Sequence, residues 1–127
     1  MTEPAFLLDA NICIYVLADS QGAASRAVQT QNEGTVVTSS IVFGEVMRGI
    51  PPEETEAIRQ AMAFFELVTP LPFDRVAAER YARLPFRRAS FDPLIAAHAL
   101  ALGLTLVTNN ERDFADIPGL RIENWTL

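Results

Sequence analysis

Apolar residues along this chain come in short blocks whose spacing changes from one block to the next. Residues 5–8 (AFLL) form an unbroken apolar run, the pattern of a short strand covered on both faces. Asp9 ends that run, after which Ile12, Tyr15 and their apolar neighbours repeat at helical spacing and predict a helix over 11–17. Residues 20–34 read as a turn, a polar-faced helix and a stop at Gly34. The β-branched run TVVTSS predicts a second strand, with Ser39 and Ser40 available to cap a helix over 41–48. Gly49 and the prolines at 51 and 52 close that helix, and the next, over 53–67, opens with acidic residues as the helix dipole favours. TPLPF can be no more than an edge strand or an extended connection, because Pro70 and Pro72 cannot donate to a central ladder. Asp74 is placed to cap a helix reaching 84.

The pattern is plainest near the end. Residues 91–102 are apolar almost all round, which predicts a buried helix, and Gly103 stops it. LTLVT then reads as a strand of the parallel type, NNERDF is polar, and LRIEN supplies a last strand. Alternating strands and helices predict an α/β/α sandwich with a mainly parallel central sheet, in a single domain over 1–127.

Ligands of open α/β sheets collect beyond the carboxyl ends of the strands. Asp9 ends the first strand, Glu45 lies in the helix after the second, and Asp92 opens the buried helix. Asn109, Asn110 and Asp113 follow the strand that ends at Thr108. Each has a structural alternative. Asp9 could cap the helix it precedes, Glu45 could pair with Arg48 three residues on, Asp92 before Pro93 is an ordinary helix start, and Asp113 has Arg112 beside it.

Composition changes how the set is read. The net charge is −6, and all ten positive residues are arginine, so no lysine can neutralise an acidic cluster. Carboxylates pointed into one crevice raise one another's pKa, and the natural counter-charge is arginine or a hard cation. Mg²⁺ or Mn²⁺ suits carboxylate oxygens plus water, and such an ion supports chemistry at phosphate esters. The acidic balance also excludes binding nucleic acid by bulk electrostatics; a local basic stretch would have to serve. RLPFRRASF provides one, with Arg83, Arg87 and Arg88 beside Phe86 and Phe91.

Other phosphate chemistries fail on the same residues. The chain has no G-x-x-x-x-G-K-[ST] loop, no G-x-G-x-x-G and no G-x-S-x-G. A receiver domain would need a lysine, and a haloacid-dehalogenase-type phosphatase would need an aspartate where Asn11 stands. His98, the sole histidine, lies about 240° around the helix from Asp92 and reads as a packed core residue. Cys13, the sole cysteine, excludes an intrachain disulfide and reads as core. The N-terminus lacks a signal-peptide pattern, and no apolar run approaches the roughly 20 residues of a bilayer span, so the expected location is cytoplasmic, with no membrane partner.

The blocks LLDANICIYVL, SSIVFGEVMRG and FDPLIAAHALALGLTLVTNNERDFADIPGLRIENW together resemble the PIN-domain family, in particular the VapC toxins of bacterial toxin–antitoxin pairs. The resemblance spans essentially the whole chain and implies a PIN-like sandwich. It further implies a metal-dependent endoribonuclease held in check by a cognate VapB-like antitoxin, with a homodimer inside the larger complex. The family's acidic positions fall on Asp9, Glu45 and Asp92. A fourth falls on Asn110, the candidate nearest Thr108, or on Asp113 further along. On this reading Asp9 and Asp92 hold Mg²⁺ (Mn²⁺ being the alternative), Glu45 binds the ion or orients the attacking water, and Arg87 and Arg88 contact RNA. The competing expectation is a non-catalytic α/β interaction module whose acids merely cap helices and pair with arginine.

Overall fold

The computed structural model describes residues 3–85 and 88–127. Five strands, β1 (Phe6–Leu8), β2 (Val36–Ser39), β3 (Thr69–Leu71), β4 (Thr105–Val107) and β5 (Ile122–Glu123), lie side by side in the order β3-β2-β1-β4-β5. Every neighbouring pair is parallel. Seven helices connect them among the described residues: α1 (Ala10–Ala18), α2 (Ala23–Gln29), α3 (Ser40–Arg48), α4 (Thr55–Leu67), α5 (Arg75–Ala82), α6 (Asp92–Leu102) and α7 (Glu111–Phe114). Right-handed crossovers put α1 to α4 on one face of the sheet and α5 to α7 on the other.

The chain builds outward from β1 to β2 and β3, then crosses back to lay β4 on the free side of β1. The carboxyl ends of β1 and β4 are therefore the point where the winding reverses, the position at which open α/β sheets leave a crevice. The strands that flank it are the most buried: Leu7, Leu8, Leu106 and Val107 are fully shielded. Apolar side chains on both faces of such strands explain why these segments read as continuous runs rather than alternating ones. Thr38 of β2 fits this dry interior because its hydroxyl donates to the Leu8 carbonyl at 2.7 Å.

α6 is the buried helix the pattern predicts. Ile95, Ala96, Ala97, His98 and Ala99 are all shielded, and the alanines let the backbone approach its neighbours closely. Gly103 ends the helix at φ +69°, a conformation that costs glycine nothing and an ordinary residue about 1–2 kcal/mol. β3 is an edge strand, as Pro70 requires.

Three details differ from the sequence reading. The polar stretch NNERDF contains the short helix α7, whose four residues are too few to show a period. α4 begins at Thr55 rather than at 53, and α5 ends at Ala82 short of 84. Asp92 opens α6 from its first helical position, with Phe91 at the cap and no side-chain capping bond there among the described residues.

Candidate active site at the carboxyl edge of the sheet

Asp9 follows β1 directly, and its backbone N–H donates to the Val107 carbonyl of β4 at 2.9 Å, so the residue is fixed by the sheet itself. Its carboxylate does two things. Oδ1 accepts from the Ala10 N–H at 2.8 Å, the capping role foreseen for it, while Oδ2 accepts from the Thr108 hydroxyl at 2.9 Å. Thr108 in turn accepts from the Asn110 N–H at 3.0 Å. Because a backbone N–H can only donate, the Thr108 proton is left for Asp9, and the direction of this relay is set. Thr108 is fully buried at the end of β4 and bridges the two strands at the reversal point. It had appeared in the sequence only as the last residue of a strand; the polar TNN after an apolar run was the one available signal.

Glu45 reaches the same edge from the middle of α3. Ser39 caps that helix by accepting from the Ile41 N–H, and Val42 and Val46 bury its inner face, which turns Glu45 toward the crevice. Its Oε1 is buried and has no hydrogen-bond partner among the described residues. Among the described residues Glu45 makes no ion pair with Arg48, so the structural alternative for this residue does not hold.

Burial, above all, holds the Asp9, Glu45 and Asp92 carboxyls above their usual range. Mutual repulsion adds to it. Asp9 raises both Glu45 and Asp92, Asp92 raises Glu45, and Asp113 raises Asp9 and Asp92. Against this, Thr108 and the Ala10 N–H lower Asp9, and Arg88 lowers Asp92. Three acids from three separate chain segments thus share one field, and Asp113 extends it from α7.

Asn110 sits at the cap position of α7 without a side-chain capping bond. Asp113 acts on Asp9 and Asp92 by its charge, whereas Asn110 is joined to Asp9 through its backbone N–H and the Thr108 hydroxyl. Arg88 donates to the Asp113 carbonyl at 2.6 Å and pairs with Asp116, tying the segment before α6 to α7. Arg87 lies outside the described residues. His98 is packed in the core, its Nδ1 bonded to Ser39 Oγ at 2.9 Å, and burial lowers its pKa. Cys13 is buried, and burial pushes its thiol well above the usual range. Both are core residues, as expected.

The donor set suits a hard divalent cation in one respect and limits it in another. An orphaned, buried carboxylate oxygen on Glu45 and mutually repelling acids are groups that a cation would satisfy. Among the described residues, however, no three His, Cys, Asp or Glu side chains stand close enough to ligate one ion together. The fit is therefore to an ion that retains much of its water and takes one or two carboxylates directly, as Mg²⁺ does.

Two cavities flank α1 beside this edge. One, of about 310 Å³, is an apolar groove between α1, α3 and α4, lined by Ile14, Leu17, Val46, Ile50 and Ala57, with Glu45 at its rim. The other, of about 370 Å³, opens on the opposite side of α1, between Tyr15, Asp19, Gly22 and Asn109.

Residues 6–120 match the PIN domain model, a span that holds β1 to β4 and the acidic edge. The chain belongs to the PIN-domain family. Among curated relatives, this PIN protein is 33% identical to a tRNA(fMet)-specific endonuclease VapC of Shigella flexneri, over 95% of this chain and 98% of the relative. It is 29% identical to Ribonuclease VapC2 of Rickettsia felis over 94% and 97%. Among solved structures it resembles VapBC2 of Rickettsia felis bound to a promoter DNA fragment, with a TM-score of 0.85 at 28% identity, covering 95% and 98% of the chains. DNA-bound VapBC of Salmonella typhimurium gives 0.84 at 30% identity, covering 96% and 98%. Fold and family agree with the expectation from sequence, and nucleases of the PIN family generally use divalent metal ions.

Proposed function

We propose that this PIN protein is the toxin of a type II, VapBC-like toxin–antitoxin pair: a Mg²⁺-dependent endoribonuclease that hydrolyses RNA phosphodiester bonds. One observation supports this most directly. Asp9 after β1, Glu45 of α3 and Asp92 of α6 share one electrostatic field at the reversal point of the sheet, their pKa values raised, and among the described residues a buried Glu45 oxygen has no hydrogen-bond partner. A helix-capping role accounts for Asp9 Oδ1 alone. A non-catalytic module would have no use for the rest.

In this reading Asp9 and Asp92 hold the cation, Mg²⁺ before Mn²⁺, with Asp113 or Asn110 completing its surroundings. The ion, when bound, neutralises charge that develops on the phosphoryl oxygens. Thr108 fixes the orientation of Asp9 through its donated proton. Glu45, with a raised pKa and an Oε1 open to accept, takes the proton of the attacking water as the oxygen–phosphorus bond forms and an ester P–O bond breaks in line, and the departing ribose oxygen takes a proton from solvent. Arg87 and Arg88 lie in the stretch that meets the RNA backbone, and Arg88 also anchors that stretch to α7.

The apolar groove bordering Glu45 suits a helix of the antitoxin, whose apolar residues would supply most of the affinity. A cationic side chain from that partner would then reach the carboxylates. The PIN domain would act as a homodimer within that complex. No helix among the described residues is long and apolar enough to cross a membrane, and we assign the protein to the cytoplasm, where RNA and antitoxin are found. Two relatives carry names that specify tRNA(fMet), so transfer RNA is the first substrate to try. The test is cleavage of transfer RNA by the purified protein with Mg²⁺, with Asp92→Asn as control. Cleavage lost in the variant supports the site; equal cleavage removes Asp92 from it.

A further inference from the structure

The cavity on the Tyr15 side of α1 has no part in holding a cation, yet its polar groups connect with the acidic edge. Asn11 and Tyr15 lie one turn apart on α1 and form a stripe that starts next to Asp9, and Asp19, in extended conformation, ends the helix. Asn109, one residue beyond Thr108, joins the stripe: its amide accepts from Asn11 at a long 3.5 Å and donates to the Tyr15 hydroxyl at 3.0 Å. Tyr15 is about 9 Å along the helix from Asp9, near enough to meet the nucleotide next to a phosphate held at the edge.

The hydrogen-bonding character of the cavity follows from these bonds. Tyr15 oxygen accepts from Asn109, which leaves its own proton to donate outward. Asp19 caps α1, its Oδ1 takes the Gln21 N–H at 3.0 Å, and its other oxygen stands over Gly22. A Cβ at Gly22 would lie 3.2 Å from that oxygen, so the bare glycine keeps the approach to it open. The cavity therefore offers the Tyr15 hydroxyl as donor and the Asp19 carboxylate as acceptor, and Tyr15 is 42% exposed there.

Of the four RNA bases, guanine presents the complementary edge. Its O6 accepts, and the adjacent N1–H and N2–H both donate, as a carboxylate requires. Adenine would turn the N1 lone pair toward Asp19. Cytosine would turn N3 and O2 toward it, and uracil flanks a single N–H with two carbonyls. We propose that this cavity is a guanine-reading subsite, in which Tyr15 donates to O6 and Asp19 accepts from N1–H and N2–H of a base flanking the scissile bond. The proposal deepens the ribonuclease reading and rests on it for the placing of the RNA, but the cavity can be tested without turnover.

The probe is guanosine 5′-monophosphate, titrated into Asp9→Asn protein without divalent cation and followed by backbone NMR, with inosine and adenosine monophosphates alongside. The guanosine nucleotide should shift the resonances of Tyr15, Asp19, Gly22 and Asn109. Inosine monophosphate, which lacks the N2 amine, should bind at least about tenfold more weakly, and adenosine monophosphate should leave those resonances in place. Asp19→Asn and Tyr15→Phe should each weaken the guanosine nucleotide about tenfold, while a conservative change at either position keeps the fold. Equal binding of the guanosine and adenosine nucleotides, shifts confined to other surfaces, or no shifts at millimolar nucleotide would overturn the subsite. In RNA, replacing a guanosine beside the cleaved bond with inosine should lower kcat/KM about tenfold for the wild type and less for Asp19→Asn. Wild-type protein that leaves all RNA intact would count against the nuclease reading; indistinguishable nucleotides would count against the subsite alone.

Discussion

Glu56 on α4 and Glu45 on α3 each have an arginine three residues further on, and they use it differently. Glu56 takes Arg59 through two oxygens, at 2.6 and 2.9 Å, on an exposed helix face. Arg75 and Glu79 on α5 pair likewise at 3.0 Å. Glu45 forms no such pair with Arg48 among the described residues, because Val42 and Val46 seat its helix against the core and turn the carboxylate inward. Identical spacing in sequence thus yields a solvated ion pair in one place and an unsatisfied buried oxygen in the other. The outer pairs contribute little, since exposed charges are screened. The inner acids are held against their own repulsion, which is reasonable for a site awaiting a cation and unreasonable for one that is merely structural.

The largest effect should separate the two regions by activity. Asp9→Asn should lower RNA cleavage by at least about a hundredfold, through loss of a charged ligand and of charge stabilisation in the transition state. Glu56→Gln should leave cleavage unchanged. Rates measured side by side decide it, and a similar loss in both would erase the distinction between crevice and surface.

Next comes the relay. Thr108→Val strands Asp9 Oδ2 and the Asn110 N–H together, so it should cost about 1–3 kcal/mol of stability and reduce cleavage. Thr108→Ser restores both bonds and should recover both quantities. Chemical denaturation and a cleavage assay on the two variants read this directly; a valine variant as stable as the wild type would show that the hydroxyl is dispensable.

The pH dependence carries a definite sign. Folding raises the pKa of Asp9, Glu45 and Asp92, so between the ordinary carboxylate value and the raised one the native state binds more protons than the unfolded chain. Their contribution to stability therefore falls as pH rises through that window. Asp9→Asn should flatten this slope, and Mg²⁺ should offset it by favouring the ionised native form. Melting temperatures across the acid range, with and without Mg²⁺, test the point. A slope of opposite sign would mean that the acids are paired in the native state.

The smallest effects belong to the surface. Arg59→Ala and Glu79→Ala should each change stability by no more than about 0.5 kcal/mol. A larger loss from either would mean that the outer pairs are less screened than their exposure suggests.

The sheet and six of the helices were legible in sequence because burial on both faces leaves unbroken apolar runs and because caps and glycines mark the ends. α7 escaped because three polar residues and one phenylalanine carry no period; Phe114 anchors it to the core. The acidic residues were visible from their positions at strand ends. What pattern could not supply was orientation: that Glu45 ignores Arg48, that Asp92 makes no cap, and that Thr108 gives its proton to Asp9. The last depends on β1 and β4 lying side by side, a contact between residues about a hundred positions apart. Tyr15 and Asn109 became partners for the same reason.

If the crevice acids serve a cation that supports RNA hydrolysis, activity must follow the ion and depend on Asp9. The most direct test is the rate of transfer RNA cleavage by the purified protein as Mg²⁺ is titrated from chelator upward, in wild type and in Asp9→Asn. Chelator should abolish cleavage, Mg²⁺ should raise it to saturation in the wild type, and the variant should show no rise. Cleavage at full rate in chelator, or an equal rise in both proteins, would contradict that dependence.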